Sequence, residues 1–136
     1  MAETTMAFGC DHAGFSLKSV LLQALEQSGW SVLDCGTTGE ESVDYPDYAH
    51  CVCAAVPGRA KFGLLICGSG VGMSMVANRY PHIRAALCMD ADMARLAREH
   101  NDANVLVLGA RRMTDAQAIA CLEAFLAEAF AGGRHQ

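Results

Sequence analysis

A chain of 136 residues, of which 52% are hydrophobic, is long enough to bury one core and too short for two, so residues 1–136 are expected to form a single domain. The formal net charge of -5 and the lack of a basic cluster argue against a nucleic acid or an anionic membrane as partner and favour a small molecule. No apolar segment approaches the ~20 residues of a membrane span, and the first residues lack the regions of a signal peptide. We therefore expect a cytoplasmic protein.

Strands and helices alternate along the chain. Apolar runs predict strands at 5–9, 30–35, 62–66, 83–88 and 105–108, each followed by a segment with helical spacing. Asp47, Asp90 and Thr114 are predicted to cap the second, fourth and fifth helices, which run to about 56, 99 and 130. This alternation predicts a three-layer α/β/α sandwich around a Rossmann-like five-stranded parallel sheet. Such sheets bind ligands at the carboxyl ends of their strands.

The sulfur-containing residues are interpreted mainly as core residues. Seven cysteines are scattered singly through apolar patterns, and an odd number in a reducing compartment argues against a disulfide framework. Four methionines at helical or strand spacing are also interpreted as core, namely Met73, Met75, Met89 and Met93. His50, Cys51 and Cys53 raise the alternative of a zinc site. Residues two apart on a helix point away from each other and no Cys-x-x-Cys occurs, so no metal is expected.

A glycine-rich loop follows the third strand. It consists of Cys67, Gly68, Ser69, Gly70, Val71 and Gly72. Because glycines permit a sharp turn, the loop amides and the following helix N-terminus are predicted to face an anion, and Cys67 beside them would favour its thiolate, as suits a nucleophile or a base. Met73 stands where a dinucleotide fingerprint has its third glycine, and no Gly-Lys-Ser/Thr follows, so nucleotide binding is disfavoured.

Other polar residues fall near strand ends. Asp11 and His12 follow the first strand and Arg111 follows the fifth, which places them at the same end of the sheet as Cys67. His100 precedes the fifth strand and therefore lies at the opposite end. It is either a structural residue at a helix C-terminus or a residue that a second subunit supplies.

Seven motifs, taken together, resemble the ribose-5-phosphate isomerase B family, which includes galactose-6-phosphate isomerase subunits. The resemblance covers nearly the whole chain. It is carried by Gly9-Cys10-Asp11-His12-Ala13-Gly14, Asp44-Tyr45-Pro46, Ile66-Cys67-Gly68-Ser69-Gly70-Val71-Gly72, Ala77-Asn78, Arg84-Ala85, Glu99-His100-Asn101-Asp102-Ala103-Asn104-Val105-Leu106 and Gly132-Gly133-Arg134-His135.

The resemblance implies an aldose–ketose isomerase that needs no metal or organic cofactor. Its members interconvert ribose 5-phosphate and ribulose 5-phosphate through an enediolate, in homodimers whose sites draw on both chains; a tetramer of such dimers is also compatible. Alternatives are an isomerase of a 6-phosphate sugar such as allose or galactose 6-phosphate, and a non-catalytic subunit that binds phosphosugars.

The resemblance also implies a role for each matching residue. Cys67 matches the base that moves the proton between C1 and C2, because the alternative base, a Glu after the third glycine, is here Met73. His100 matches the ring-opening residue from the partner subunit, and Ser69 assists proton movement. The amides of 68–72 match the anion hole for the enediolate. The remaining matches are Asp11 and Asn101 to sugar oxygens, Tyr45 to the pocket wall, and His12, Arg111 and Arg134 to the phosphate. Many members continue past this point with a tail that carries another phosphate-binding Arg, so here the grip is expected to rest on the last three.

Overall fold

The computed structural model describes residues 4–35, 45–129 and 131–133, with only the backbone of Tyr45. In these ranges five parallel strands form one sheet in the order β2-β1-β3-β5-β4. The strands are β1 (Thr5–Cys10), β2 (Ser31–Asp34), β3 (Phe62–Cys67), β4 (Ala85–Leu87) and β5 (Val105–Gly109). The helices are α1 (Phe15–Gln27), α2 (Tyr45–Ala55), α3 (Val71–Ala77), α4 (Ala91–Asn101) and α5 (Asp115–Ala127), with 3-10 helices at His12–Gly14 and Ala110–Arg112.

The sheet is covered on both faces, which confirms the predicted three-layer sandwich. Alternate residues of each central strand enter different cores: Leu64 and Ile66 pack with α1, α4 and α5, whereas Leu65 and Cys67 pack with α2 and α3. The central strands β1, β3 and β5 are apolar on both faces because both faces are buried. Cys67 therefore belongs to the α2/α3 side of the sheet.

Two of the three predicted helix caps are confirmed. Asp90 accepts a hydrogen bond from the Met93 amide at 2.8 Å, and Thr114 forms a capping box with Gln117. The prediction for α2 is wrong, because the helix begins at Tyr45 and Asp47 lies within its first turn. Proline is tolerated in the first turn of a helix, so Pro46 is compatible with a helix that begins at Tyr45.

The cysteines depart from the prediction at one pair. Cys35, just after β2, and Cys51, in α2, form a disulfide with a Cα–Cα distance of 6.0 Å. The proximity of these two cysteines follows from the chain path, because α2 packs on β1, the strand next to β2. The other five cysteines are free and buried, as expected of core residues: Cys10, Cys53, Cys67, Cys88 and Cys121.

The disulfide predicts the number of titratable thiols. Protein purified without reductant and then denatured should react at five thiols, and after reduction at all seven. The Cys35→Ser variant is the matched control. It leaves Cys51 without its partner and should give one thiol more than the unreduced wild type. Seven thiols in the unreduced wild-type protein would contradict the bond.

Helix α2 lies directly on the sheet at Gly63. A Cβ added there would come within 2.5 Å of Val52 Cγ1 and 3.1 Å of Val105 Cγ2. We expect Gly63→Ala to lower the free energy of unfolding in urea by about 1 to 3 kcal/mol, since an overpacked core must shift. Gly58→Ala, where an added Cβ meets nothing within 4 Å, should change it by less than about 0.5 kcal/mol. Equal values for the two variants would mean that α2 can move away at no cost.

The prediction that the four methionines belong to the core holds only for Met73, which is fully buried. Met75 is 67% exposed, Met89 43% and Met93 41%, and Val71 on the same side of α3 is 44% exposed. We call these four exposed side chains, Val71, Met75, Met89 and Met93, the methionine face. They lie on α3 and around the start of α4, the elements that flank edge strand β4. No described helix is long and apolar enough to cross a membrane.

Candidate active site

The strand order reverses between β1 and β3. From β1 the chain passes to β2 on one side, whereas β3, β5 and β4 lie on the other. Such a switch point leaves a crevice at the carboxyl ends of the two strands. Here they are joined by a hydrogen bond of 3.2 Å from the Asp11 amide to the Ile66 carbonyl. The two predicted loops, at Asp11-His12 and Cys67-Gly72, are therefore neighbours.

Cys67 is held at the mouth of this crevice. Its side chain ends β3, the residue is 6% exposed, and its Sγ accepts a hydrogen bond from the Gly70 amide at 3.1 Å. Gly70 can direct its amide inward because it has a φ of 82°, in the left-handed region. This hydrogen bond fixes the position of the sulfur at the end of β3.

The sequence predicted that the loop amides face outward toward an anion, but two of them donate to side chains of the loop itself. Besides the Gly70 amide on sulfur, the Val71 amide donates to Ser69 Oγ at 3.2 Å. The loop is thus closed on its own side chains. Its tight fit against Gly109 was not predicted: an added Cβ there would lie 2.5 Å from the Ser69 carbonyl oxygen. The only signal in the sequence is a glycine directly after an apolar strand.

Other buried thiols have a different environment. Burial raises the pKa of Cys53 and that of Cys121 to about 11, and the pKa of Cys88 to about 12, where nearby acidic groups add to the effect. Desolvation disfavours the charged form, so these three remain thiols at neutral pH. They are not candidates for a base or a nucleophile.

Asp11 has a structural role as well as a place in the crevice. It is 5% exposed, and its Oδ1 accepts hydrogen bonds from the amides of Ala13 at 2.9 Å and Gly14 at 3.3 Å. These bonds cap the 3-10 helix that carries His12. The carboxylate thus fixes the position of His12.

Arg111 reaches the glycine loop from β5. Its amide donates to the Gly68 carbonyl at 2.9 Å, and a Cβ added to Gly68 would lie 2.9 Å from its Nη1. The 3-10 helix that contains it contacts the one that contains His12. The structure therefore brings together five predicted residues at the carboxyl end of the sheet: Asp11, His12, Cys67, Ser69 and Arg111.

His100 and Asn101 lie at the opposite end of the sheet. They end α4, before β5, and β5 starts where Val105 pairs with Gly63 of β3, whereas Cys67 pairs with Gly109. Four residues of strand separate the two levels, which is about 13 Å at ~3.3 Å per residue. One chain does not bring His100 to its own Cys67.

The surroundings of these two residues are polar. His100 Nε2 lies 3.4 Å from Glu99 Oε1, and the Asn101 carbonyl accepts a hydrogen bond from Arg84 Nε at 2.6 Å. Asn101 and Arg84 line a cavity of about 350 Å³ at this amino end of the sheet. The cavity is distant from Cys67, so it is not the pocket of the same chain's thiol.

Two predicted binding residues cannot be placed. Arg134 lies outside the described residues, and for Tyr45 only the backbone is described, at the start of α2. Within the part of the chain that is described, no three His, Cys, Asp or Glu side chains form a group that could hold a metal ion. Of the residues of the zinc alternative, Cys51 is in the disulfide and the ring of His50 contacts the Tyr80 hydroxyl.

A parallel α/β domain with a thiol, a capped carboxylate and an arginine gathered at its switch point has the polar groups that a site for a small anionic ligand needs. The family model for Ribose/Galactose Isomerase matches residues 6–136. The chain belongs to this family and is an isomerase.

Individual relatives support the same assignment. Ribose-5-phosphate isomerase B of Escherichia coli (strain K12) is 46% identical over 132 residues, which are 96% of this chain and 89% of that protein. The structure of a ribose 5-phosphate isomerase from Thermotoga maritima is similar with a TM-score of 0.94 at 50% identity, covering 97% of this chain and 92% of that chain. Ribose-5-phosphate isomerase B from Mycoplasma genitalium, solved with bound ribulose-5-phosphate, has a TM-score of 0.92 at 38% identity and covers 97% and 89%.

Proposed function

We propose that the protein interconverts ribose 5-phosphate and ribulose 5-phosphate, without a metal or an organic cofactor. The observation that carries the proposal is the Cys67 thiol, fixed by the Gly70 amide at 3.1 Å in a crevice that also holds Asp11, His12 and Arg111. Family membership and relatives named for this reaction support the substrate. An isomerisation of this kind needs a base next to a carbonyl and donors for the charge that develops.

In the proposed reaction the sulfur of Cys67 takes the proton from C2 of the open-chain aldose. The C2–H electron pair forms the C1–C2 double bond, and the carbonyl oxygen on C1 becomes the negative oxygen of an enediolate. Sulfur then returns the proton to C1 while Ser69 assists the proton exchange between the two oxygens. The ketose results with all atoms retained.

The loop amides are proposed to stabilise the enediolate. The Gly70 amide donates to sulfur in the structure, and the Val71 amide to Ser69. As sulfur gains the proton its negative charge disappears, while the charge on the sugar oxygen grows. The same amides can then donate to the oxyanion of the enediolate, so the loop 68–72 stabilises negative charge first on sulfur and then on the sugar.

The remaining residues are proposed to hold the substrate. His12 and Arg111, on adjoining 3-10 helices, bind the phosphate together with Arg134. Asp11 and Asn101 hold sugar oxygens, and Tyr45 lines the pocket. Binding the phosphate away from the reacting carbons fixes C1 and C2 at the thiol.

We further propose that the site is completed by His100 and Asn101 of a second copy, in a homodimer or a tetramer of dimers. Helices α3 and α4 both start at the carboxyl end of the sheet and run toward its amino end. A two-fold axis at the methionine face would set them antiparallel to their copies, which brings the end of one α4 toward the start of the other α3. The exposed apolar side chains of the methionine face are of the type that a second protein subunit buries.

The test is turnover of purified protein on ribose 5-phosphate, allose 6-phosphate and galactose 6-phosphate, with and without a chelator. We expect the pentose phosphate to be the best substrate by kcat/KM and the chelator to have no effect. A higher kcat/KM on a hexose phosphate would show that the preferred substrate is the hexose phosphate, while the proposed isomerisation chemistry would stand. No turnover of any of them, with phosphosugar binding retained, would favour the non-catalytic subunit.

A further inference from the structure

Arg98 is a buried cation under the last turn of α4. The residue is 7% exposed, and its guanidinium carbon lies 4.7 Å from the centroid of the Phe62 ring and 5.8 Å from that of Phe125. A buried charge is costly unless it is paired and hydrogen-bonded. An apolar side chain of similar volume often gives equal or greater stability at such a place. Stability alone therefore does not account for an arginine here.

Its hydrogen bonds go to the chain on the far side of His100 and Asn101. Arg98 Nη1 donates to Asp102 Oδ1 at 2.9 Å and to the Ala103 carbonyl at 2.7 Å. Asp102 ends the helix in the left-handed region, with a φ of 48°, and its amide donates to the Arg98 carbonyl at 3.3 Å. A side chain thus closes a loop whose centre is the two residues proposed to enter the partner's site.

The same turn also holds the segment after α5. Arg98 Nε donates to the Glu128 carbonyl at 3.3 Å, and the Ala131 amide donates to the Glu99 carbonyl at 2.9 Å. The helix end is therefore fixed from two directions, by the rings of the core and by the chain that follows α5.

We infer that Arg98 is a positioning residue for the reaction: it sets the direction in which His100 and Asn101 leave α4 and so delivers them to the other subunit's thiol. The inference rests on the proposed function, in which His100 acts across the dimer. Arg98 itself is buried and does not touch the reacting atoms.

The first test is the Arg98→Met variant, which keeps the apolar stem and removes the donors. We expect kcat to fall about 10- to 100-fold, as misplacement of a reacting group does, with little change in KM. Arg98→Lys retains the charge and should recover part of the loss. Lys61→Met is the matched control, because Lys61 Nζ lies 5.1 Å from the same Phe62 ring but is exposed; it should keep wild-type kcat.

The second test separates positioning from general damage by mixing the Arg98→Met chain with chains that lack Cys67 or His100. In heterodimers of Arg98→Met with Cys67→Ala, one site combines an intact Cys67 with a His100 whose own Arg98 is intact. Equal mixtures should therefore show about a quarter of wild-type activity. In heterodimers of Arg98→Met with His100→Ala, the usable His100 always comes from the Arg98→Met chain, so that mixture should stay at least about fivefold lower.

Equal activity in the two mixtures would overturn the role of Arg98. If Cys67→Ala and His100→Ala chains also fail to complement each other although heterodimers form, the shared site itself is wrong, and this inference falls with it. If Arg98→Met does not fold, Arg98→Lys and Asp102→Ala take its place in the same mixtures, with an asymmetry in the same direction that is smaller for Arg98→Lys because lysine keeps the charge.

Discussion

Replacing Cys67 with alanine should lower kcat on ribose 5-phosphate by about 100- to 10,000-fold, the usual effect of removing a general base. KM should change little, because the phosphate contacts stay. No other base is available at that position of the loop: Met73 has no titratable group and is fully buried. The measurement is steady-state kinetics in both directions on protein whose fold is verified by circular dichroism.

Two further variants make the result specific to the thiol. Cys67→Ser should be as inactive as the alanine variant, since a hydroxyl is a far weaker acid and gives no anion at neutral pH. Cys121→Ala, at a free and fully buried cysteine of α5 in the other core, should retain kcat. Turnover by Cys67→Ala close to that of the wild type would exclude this residue as the base.

Replacing His100 with alanine should reduce kcat on the cyclic sugar about as strongly, by about 100-fold or more. Activity should return when this variant is mixed with Cys67→Ala and the dimers are allowed to exchange. Half of the dimers are then heterodimers with one intact site of two, so about a quarter of wild-type activity is expected. The physical reason is the distance of about 13 Å or more that β3 sets between the two residues of one chain.

Exchange must be demonstrated independently, for example by native mass spectrometry of the mixture. The control is a mixture of Cys67→Ala with Cys67→Ser, in which heterodimers form but no site has a thiol, so no activity should return. Verified heterodimers of Cys67→Ala and His100→Ala without activity would show that His100 does not act across the interface.

The sheet and most element positions follow from the sequence because its apolar runs are local. The central strands are almost continuous apolar segments, and the caps Asp90 and Thr114 act within one turn of themselves. The predicted start of α2 is too late because Asp47 resembles an N-cap residue. Proline is tolerated in the first turn of a helix, so the residues before Asp47 can also be helical, and the apolar pattern gives no sign of this. The Cys35–Cys51 bond was missed because proximity between a strand end and a helix depends on the order of the strands.

Periodicity also fails where it cannot tell which partner covers a face. Met75 and Met93 have core-like spacing, yet they are exposed in the single chain, because their side of α3 and α4 faces outward at β4. Arg98 is the opposite case. In the sequence it is one charge of a charged helix, and its burial follows from contact with Phe62 and Phe125, which lie far along the chain.

At the site, sequence reasoning placed residues correctly relative to the sheet but did not determine their bonds. Asp11, Cys67 and Arg111 follow strands that turn out to be neighbours, so their gathering could be predicted. The direction of an amide could not: the Gly70 N–H points to sulfur because of one left-handed glycine. The roles proposed for all the site residues, Tyr45 and Arg134 included, stay predictions.

The disulfide makes residues 35–51 a covalent ring whose two ends are separated by 16 positions in the sequence. In an ordinary loop, each doubling of length costs about 0.6 kcal/mol of closure entropy when the chain folds. In the oxidised chain that closure precedes folding, so part of the cost is already met in the unfolded state. A broken peptide bond inside the ring would then still leave both fragments in one molecule.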